Sequence, residues 1–249
     1  MNKKIINVDE SVIGTRVLKF DNVETLNKVD KSSLREISTC CLNDVMGRLY
    51  GMASEIKLIN SRNAAMMIGP ACTIKTAPGD TLKLHQAISD MDIRGYVIVV
   101  DAFGDTSRAV GGEIVLTLAQ LKGAAGVVVN GLLRDRDGIS RLSMPVYALG
   151  TTNIGPWKNG PGEINVPVSC GGQVVRPGDF VVGDRDGVVV IPLECVSEVG
   201  NAARQKKQFE DNLLAEARNN PLSYIERVES ATYGYSKNMA IMSDNKEGE

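Results

Sequence analysis

Arg134 and Asp135 stand side by side directly after a short apolar run, Gly126-Val127-Val128-Val129-Asn130, whose β-branched residues read as a buried strand. Gly131 is expected to break that strand, so that the run Gly131-Leu132-Leu133-Arg134-Asp135-Arg136-Asp137 delivers a cation and a carboxylate just past its carboxyl end. Open α/β sheets place their ligands there. Arg134 suits a carboxylate or an enolate, and Asp135 suits a hard divalent cation. The plainer alternative is a surface ion pair on a turn, worth little to stability.

A second buried run lies upstream, Tyr96-Val97-Ile98-Val99-Val100-Asp101. Residues 102–111 read as a loop, and residues 112–122 as a helix closed by Gly123. Strand, helix and strand in this order form a βαβ unit with parallel strands and a right-handed crossover. Both strands then end at the same sheet edge. The unpaired N–H groups of Gly112, Glu113, Ile114 and Val115 open near Arg134 and Asp135, and a helix N-terminus of this kind binds anions. Glu113 adds a carboxylate. Donors, guanidinium and carboxylates together suit a small anionic substrate chelated to a hard cation. The structural alternative is that Glu113 only complements the helix dipole and that Gly111-Gly112 is an ordinary loop.

Other elements must support this unit. Ser33-Leu34-Arg35-Glu36 has the capping-box pattern and is expected to open a helix reaching about Leu49, with Leu34, Ile37, Cys41, Val45 and Leu49 as its buried stripe. A strand is expected over residues 71–76, then a helix over 81–91 with Gly79-Asp80 at its start, and a strand over 146–149. Residues 151–162, rich in Gly, Asn and Pro, read as a long loop. A β-rich stretch follows with turns at 176–179 and 184–187, and residues 193–217 read as a charged helix. Asp184-Arg185-Asp186-Gly187 lacks the rest of a calcium loop and reads as a hairpin turn. Residues 1–30 read as an arm, 31–220 as one α/β domain, and 221–249 as an extension, disordered in part at its polar end.

The 249 residues are 43% hydrophobic, enough for a sizeable core, and the net charge of −2 argues against an extensive nucleic-acid surface. Lys206-Lys207 reads as a solvated helix face. No apolar run approaches the ~20 residues of a membrane span, and the first residues lack a signal-peptide core, so the sequence predicts a cytoplasmic protein. Five cysteines without a Cys-x-x-Cys pair read as reduced thiols. The single histidine, His85, has no partner histidine for a zinc site and reads as an ordinary helix residue. Triad hydrolysis, dinucleotide and P-loop motifs are absent.

Several blocks, in order, resemble one family: Cys41-Leu42-Asn43-Asp44-Val45-Met46-Gly47, Ile68-Gly69-Pro70-Ala71-Cys72-Thr73, Gly112-Glu113, Asn130-Gly131-Leu132-Leu133-Arg134-Asp135, Pro167-Val168-Ser169-Cys170-Gly171-Gly172, and Val175-Arg176-Pro177-Gly178-Asp179 running on to Ile191-Pro192. The chain resembles the family of the regulator of ribonuclease activity A (RraA) and the 4-hydroxy-4-methyl-2-oxoglutarate aldolases over about residues 34–209. The resemblance implies a layered α/β/β/α fold like the swivelling phosphohistidine domain, and assembly as a homotrimer or a dimer of trimers with sites between subunits. It implies that the backbone at Gly112, Glu113, Ile114 and Val115 binds a substrate carboxylate, that Arg134 is the family's arginine, and that Asp135 is its metal-binding aspartate. It also implies Glu113 near the metal, and a further glutamate from a neighbouring subunit's C-terminal helix: Glu210, with Glu194, Glu198 and Glu216 as competitors.

By the same resemblance the function is retro-aldol cleavage of 4-hydroxy-2-oxo acids to pyruvate with Mg²⁺ or Mn²⁺. Oxaloacetate decarboxylation passes through the same pyruvate enolate. No Schiff-base lysine is required, and Lys122 lies at the far end of its helix. Aldolase members carry an acidic residue three positions after the metal-binding aspartate, where this chain has Gly138. The alternatives are a protein-binding regulator of ribonuclease E and a catalytically silent scaffold.

Overall fold

The computed structural model describes residues 13–18, 34–60, 65–222 and 224–228. The chain divides into two units, Met1–Ala203 and Arg204–Glu249. The first carries a mixed α/β fold built on one curled sheet, matching the expected class.

Among the described residues the strands are β1 (Lys57–Leu58), β2 (Met67–Thr76), β3 (Val97–Gly111), β4 (Gly126–Leu133), β5 (Val146–Thr151), β6 (Gly162–Ile164), β7 (Val168–Cys170), β8 (Gln173–Val175), β9 (Phe180–Gly183) and β10 (Val188–Ile191). The helices are α1 (Thr39–Val45), α2 (Leu82–Asp90), α3 (Glu113–Leu121), α4 (Arg136–Ile139) and α5 (Val196–Asn219). The main sheet has the order β1-β5-β4-β3-β2-β9-β10. Its centre is parallel, with β2 on β3, β3 on β4 and β4 on β5. On its other edge β2 changes partner: Met67 to Pro70 pair with β9, and Ile74 to Thr76 pair with β6. That switch lets the sheet curl.

The apolar runs are explained by burial on both sheet faces. Ile98, Val100, Val127 and Val129 point to one side, where they pack with Leu84, Ala87 and Ile88 of α2 and Val115, Leu116 and Ala119 of α3. Val97, Val99 and Val128 point to the other, against Val168, Cys170, Val175, Val181 and Val190. Alternation along a strand therefore carries no polar residues here. Each fully buried valine contributes ~1.5–3 kcal/mol relative to exposure. A third cluster joins Leu34, Ile37, Cys41 and Leu42 to Phe180, Val182, Val189, Val196 and Ala203.

Several boundaries differ from the sequence reading. Residues 102–111 are not a free loop; they belong to β3, which pairs with β4 through three register shifts and rejoins it at Gly111↔Leu133. Gly131 does not break β4, because it pairs with Asp105 and lies with its missing Cβ only 3.2 Å from the Ala102 side chain. The first helix begins at Thr39, with the Ser38 hydroxyl accepting from the Cys41 N–H. Glu36 sits at φ 65°, outside the helical region, so it cannot close a capping box; Ser33 lies outside the described residues. The helix stops at Val45, ahead of Gly47 and Arg48 at positive φ, and Leu49 is exposed rather than on a buried stripe.

The hairpin reading of residues 184–187 holds, since β9 and β10 flank it in antiparallel pairing. Within the expected arm, Val17 bridges Ile164 of β6; most of residues 1–30 and the tail beyond Gly234 lie outside the described residues. No described helix is long and apolar enough to cross a membrane. The cysteines are free thiols, with Cys41, Cys72 and Cys170 buried.

Candidate active site

The site forms where β3, β4 and α3 meet. Gly112 caps α3 in an extended conformation, φ −158° and ψ −165°, without a side-chain cap. The first helical bond runs from Leu116 N–H to the Gly112 carbonyl, so the N–H groups of residues 113–115 lack helical partners. The β4 end is tied to the β3 end by Arg134 N–H donating to the Gly111 carbonyl at 3.0 Å. Asp135 then turns the chain at φ 65°, ψ 49°, a left-handed conformation that aspartate tolerates, and starts the one-turn helix α4. Parallel strands that rejoin at Gly111↔Leu133 thus carry the helix N-terminus, the guanidinium and the carboxylate to one edge.

Arg134 Nε lies 3.5 Å from Asp135 Oδ2, and both side chains are about two-fifths exposed. At that exposure the pair adds little to stability. Both groups are therefore available to a ligand. Gly112 makes this packing possible: a Cβ there would press on the Asp135 carboxylate and come within 2.8 Å of Arg134 Cγ. Its role is close approach rather than an unusual φ.

A cavity of about 190 Å³ is lined by Gly111, Gly112, Ile114, Val115, Arg134 and Asp135, together with Thr81, His85, Pro156 and Lys158. It brings together most of the residues expected from sequence. It also adds four that sequence reading left out of the site. His85 was read as an ordinary helix residue, yet it faces the cavity from α2, one turn beyond Thr81. Burial, and then the nearby positive charge of Lys158, lower its pKa below the usual imidazole value, which leaves it uncharged at neutral pH. Only the fold places the start of α2 and residues 156–158 beside α3; in the sequence, Gly79-Asp80 and the Gly/Pro-rich stretch were the nearest signals. Two larger cavities, about 430 and 340 Å³, open beside Arg185. The second of them reaches the start of α1, where Asp184 and Ser38 already accept from the Thr39 and Cys41 N–H groups; the smaller cavity is the one that joins helix N–H groups without side-chain caps to Arg134 and Asp135.

Glu113 does not line this cavity. Its carboxylate lies against Gly138 of α4, in space that any side chain at 138 would invade. Glu210 lies in the second unit, where Lys206 pairs with it at 2.9 Å along the same helix. Among the described residues no three His, Cys, Asp or Glu side chains converge as a metal centre. The donor chemistry fits magnesium or manganese through Asp135, half-exposed in the cavity, because such ions accept one or two carboxylates and keep several waters. It does not fit a closed tetrahedral zinc site.

The family described as RraA-like, Aldolase/RraA, matches residues 39–190. A Halalkalibacterium halodurans protein, provisionally named a 4-hydroxy-4-methyl-2-oxoglutarate aldolase, is 42% identical over 77% of this chain and 88% of its own length. Among solved structures, the RNA-processing inhibitor RraA from Thermus thermophilis superposes with a TM-score of 0.58 at 29% identity, covering 63% of this chain and 93% of that one. Streptomyces coelicolor RraAS2, titled an unusual member of the RNase ES inhibitor RraA family, superposes with a TM-score of 0.65 at 27% identity, covering 78% and 97%.

Proposed function

The chain belongs to the RraA-like family, and we propose that it is a carbon–carbon lyase that releases pyruvate from 4-hydroxy-2-oxo diacids of the 4-hydroxy-4-methyl-2-oxoglutarate type and decarboxylates oxaloacetate at the same site. The observation that carries this reading is the single cavity holding the α3 N-terminus, Arg134, Asp135 and Lys158. The N–H groups of residues 113–115 and the helix dipole suit the carboxylate of the pyruvyl half. Lys158 supplies a second cation, which a diacid needs and a monoacid does not.

Breaking the C3–C4 bond leaves negative charge on the pyruvyl oxygen, and Arg134 is placed beside Asp135 to meet that charge as it develops. The uncharged His85 imidazole in the cavity wall is able to accept the proton from the C4 hydroxyl. Asp135 would hold Mg²⁺ or Mn²⁺, with Glu113 and Glu210 as the further carboxylates the family resemblance suggests. When bound there, the ion would act as a Lewis acid toward the keto and carboxylate oxygens of the substrate. The assembly we propose is a homotrimer or a dimer of trimers.

The two solved neighbours, an RNA-processing inhibitor and a member of an RNase ES inhibitor family, support a second reading, a protein that binds and inhibits a ribonuclease. A pyruvate-release assay on oxaloacetate and a panel of 4-hydroxy-2-oxo acids separates the two. The expected result is turnover that EDTA abolishes and Mg²⁺ or Mn²⁺ restores. No release from any acid at saturating metal, with ribonuclease binding intact, would decide for the regulator.

A further inference from the structure

We propose that Asp80 is a positioning residue of this site: its buried carboxylate latches residues 155–160 onto the start of α2 and so fixes Lys158 in the cavity wall. The proposal rests on the lyase reading for its kinetic consequence, but its structural content does not depend on that reading.

Asp80 is 2% exposed. Its Oδ1 accepts from Leu82 N–H at 2.7 Å, and its Oδ2 accepts from Asn159 N–H at 2.8 Å and Gly160 N–H at 3.1 Å. A carboxylate this deep is tolerated only when hydrogen-bonded, and bonds from N–H groups to an ionised acceptor are among the stronger ones in proteins. One side chain therefore joins two segments about 80 residues apart in sequence. The backbone continues the joint: Trp157 N–H donates to the Gly79 carbonyl at 2.8 Å, and Thr81 N–H donates to the Trp157 carbonyl at 3.0 Å. From outside, the Arg108 guanidinium stacks 4.2 Å from the Trp157 ring centre and donates to the Gly155 carbonyl at 3.1 Å.

The two segments so joined each give two residues to the cavity: Thr81 and His85 from one, Pro156 and Lys158 from the other. Without the latch, residues 155–160 would be a glycine-rich loop carrying a lysine on a flexible stem. With it, the cation is held close enough to His85 to disfavour the charged imidazole. The other charged groups lining the cavity, Arg134 and Asp135, sit on a different element and keep their own backbone anchors.

Because His85 is the single histidine of the chain, its imidazole titration by NMR reads the latch directly in the metal-free protein. Asp80→Asn is isosteric but turns an NH₂ toward backbone N–H donors. It is expected to raise the His85 pKa toward the ordinary value, as is Lys158→Ala, and the double variant is expected to rise no further. In the kinetic arm, KM for oxaloacetate is expected to increase about tenfold in Asp80→Asn, while inhibition by pyruvate, held at the Arg134 end, changes less than about twofold. Should Asp80→Asn fail to fold, Asp80→Ser retains an acceptor for Leu82 N–H and gives up the loop.

A wild-type His85 titration in a folded Asp80 variant, while Lys158→Ala shifts it, would overturn the proposal. So would parallel weakening of oxaloacetate and pyruvate, which marks general damage. An enzyme that releases no pyruvate would defeat the lyase reading and leave the titration result standing.

Discussion

Gly112→Ala puts one methyl group between the helix N-terminus and the two charged side chains. The backbone tolerates it, since φ −158° and ψ −165° are extended values open to any residue. The contact geometry does not. The added Cβ would stand 2.8 Å from Arg134 Cγ and 3.3 Å from the Arg134 carbonyl oxygen, and it would press hardest on the Asp135 carboxylate. Ordinary carbon contacts need ~3.5 Å or more, so the Arg134 stem must retreat by at least ~0.7 Å. Asp135 must move further, and it starts from a left-handed backbone with little slack. Misplacement on the order of 1 Å costs about 100-fold in rate, which is ~2.7 kcal/mol of barrier.

Stability should change little. Both side chains are half-exposed and can swing outward, and alanine offsets part of the strain by narrowing the unfolded ensemble by ~0.4–1 kcal/mol. Pyruvate release, coupled to lactate dehydrogenase, is expected to show kcat down about 100-fold with Tm within about 4 °C of wild type. Gly155→Ala is the graded control. Its Cβ would meet only the far end of Arg134, Nη1 at 2.7 Å, so a smaller loss is expected. Wild-type kcat in a folded Gly112→Ala protein would refute the assignment of Arg134 and Asp135 to the reacting centre.

Two further outcomes follow from the same geometry. Arg134→Ala and Asp135→Asn should each lower kcat by about 10²–10³ with the fold retained by circular dichroism, asparagine being chosen because it too accepts the left-handed backbone at 135; near-normal turnover in both would sink the site. If a neighbouring subunit lends Glu210, mixing inactive Asp135→Ala and Glu210→Ala chains should restore part of the activity, whereas dead hybrid trimers would mean that Glu210 acts elsewhere or not at all.

The centre of the fold was legible because its signals are strong and local. The runs at 97–100 and 127–129 are apolar at every position, which only strands buried on both faces require, and the helix between them is closed by Gly123, at φ 82°. From those two strands and one helix the proximity of Gly112, Arg134 and Asp135 followed by topology alone. What failed was local punctuation. Gly131 and the stretch 102–111, polar at its centre, look like breaks, but register shifts keep them in the sheet, and no sequence pattern announces a bulge of that size. The Ser33–Glu36 pattern lost to Ser38, whose neighbour Thr39 is anchored by Asp184 from 145 residues away.

His85 and Lys158 were missed for the opposite reason. Nothing near them in sequence is unusual, and their place in the cavity comes from an Asp80 contact across about 80 positions. The empty place at Gly138 also has a structural sense that sequence could not supply, since the longer Glu113 side chain fills it.

The uneven pairing of β3 with β4 has an evolutionary consequence. Between the pairs Asp101↔Asn130 and Gly111↔Leu133, β3 takes ten steps while β4 takes three. The surplus is absorbed in an outward excursion, and both of its ends are clamped by ladder bonds. Residues gained or lost in its exposed part, at Thr106 and Ser107 between the paired Asp105 and Ala109, would alter the surface beside Arg108 without changing where Gly112 stands relative to Arg134. Descendants of this chain can therefore vary the length and chemistry of that exposed part while keeping the Gly112–Arg134 junction, a separation that favours new substrates over new reactions.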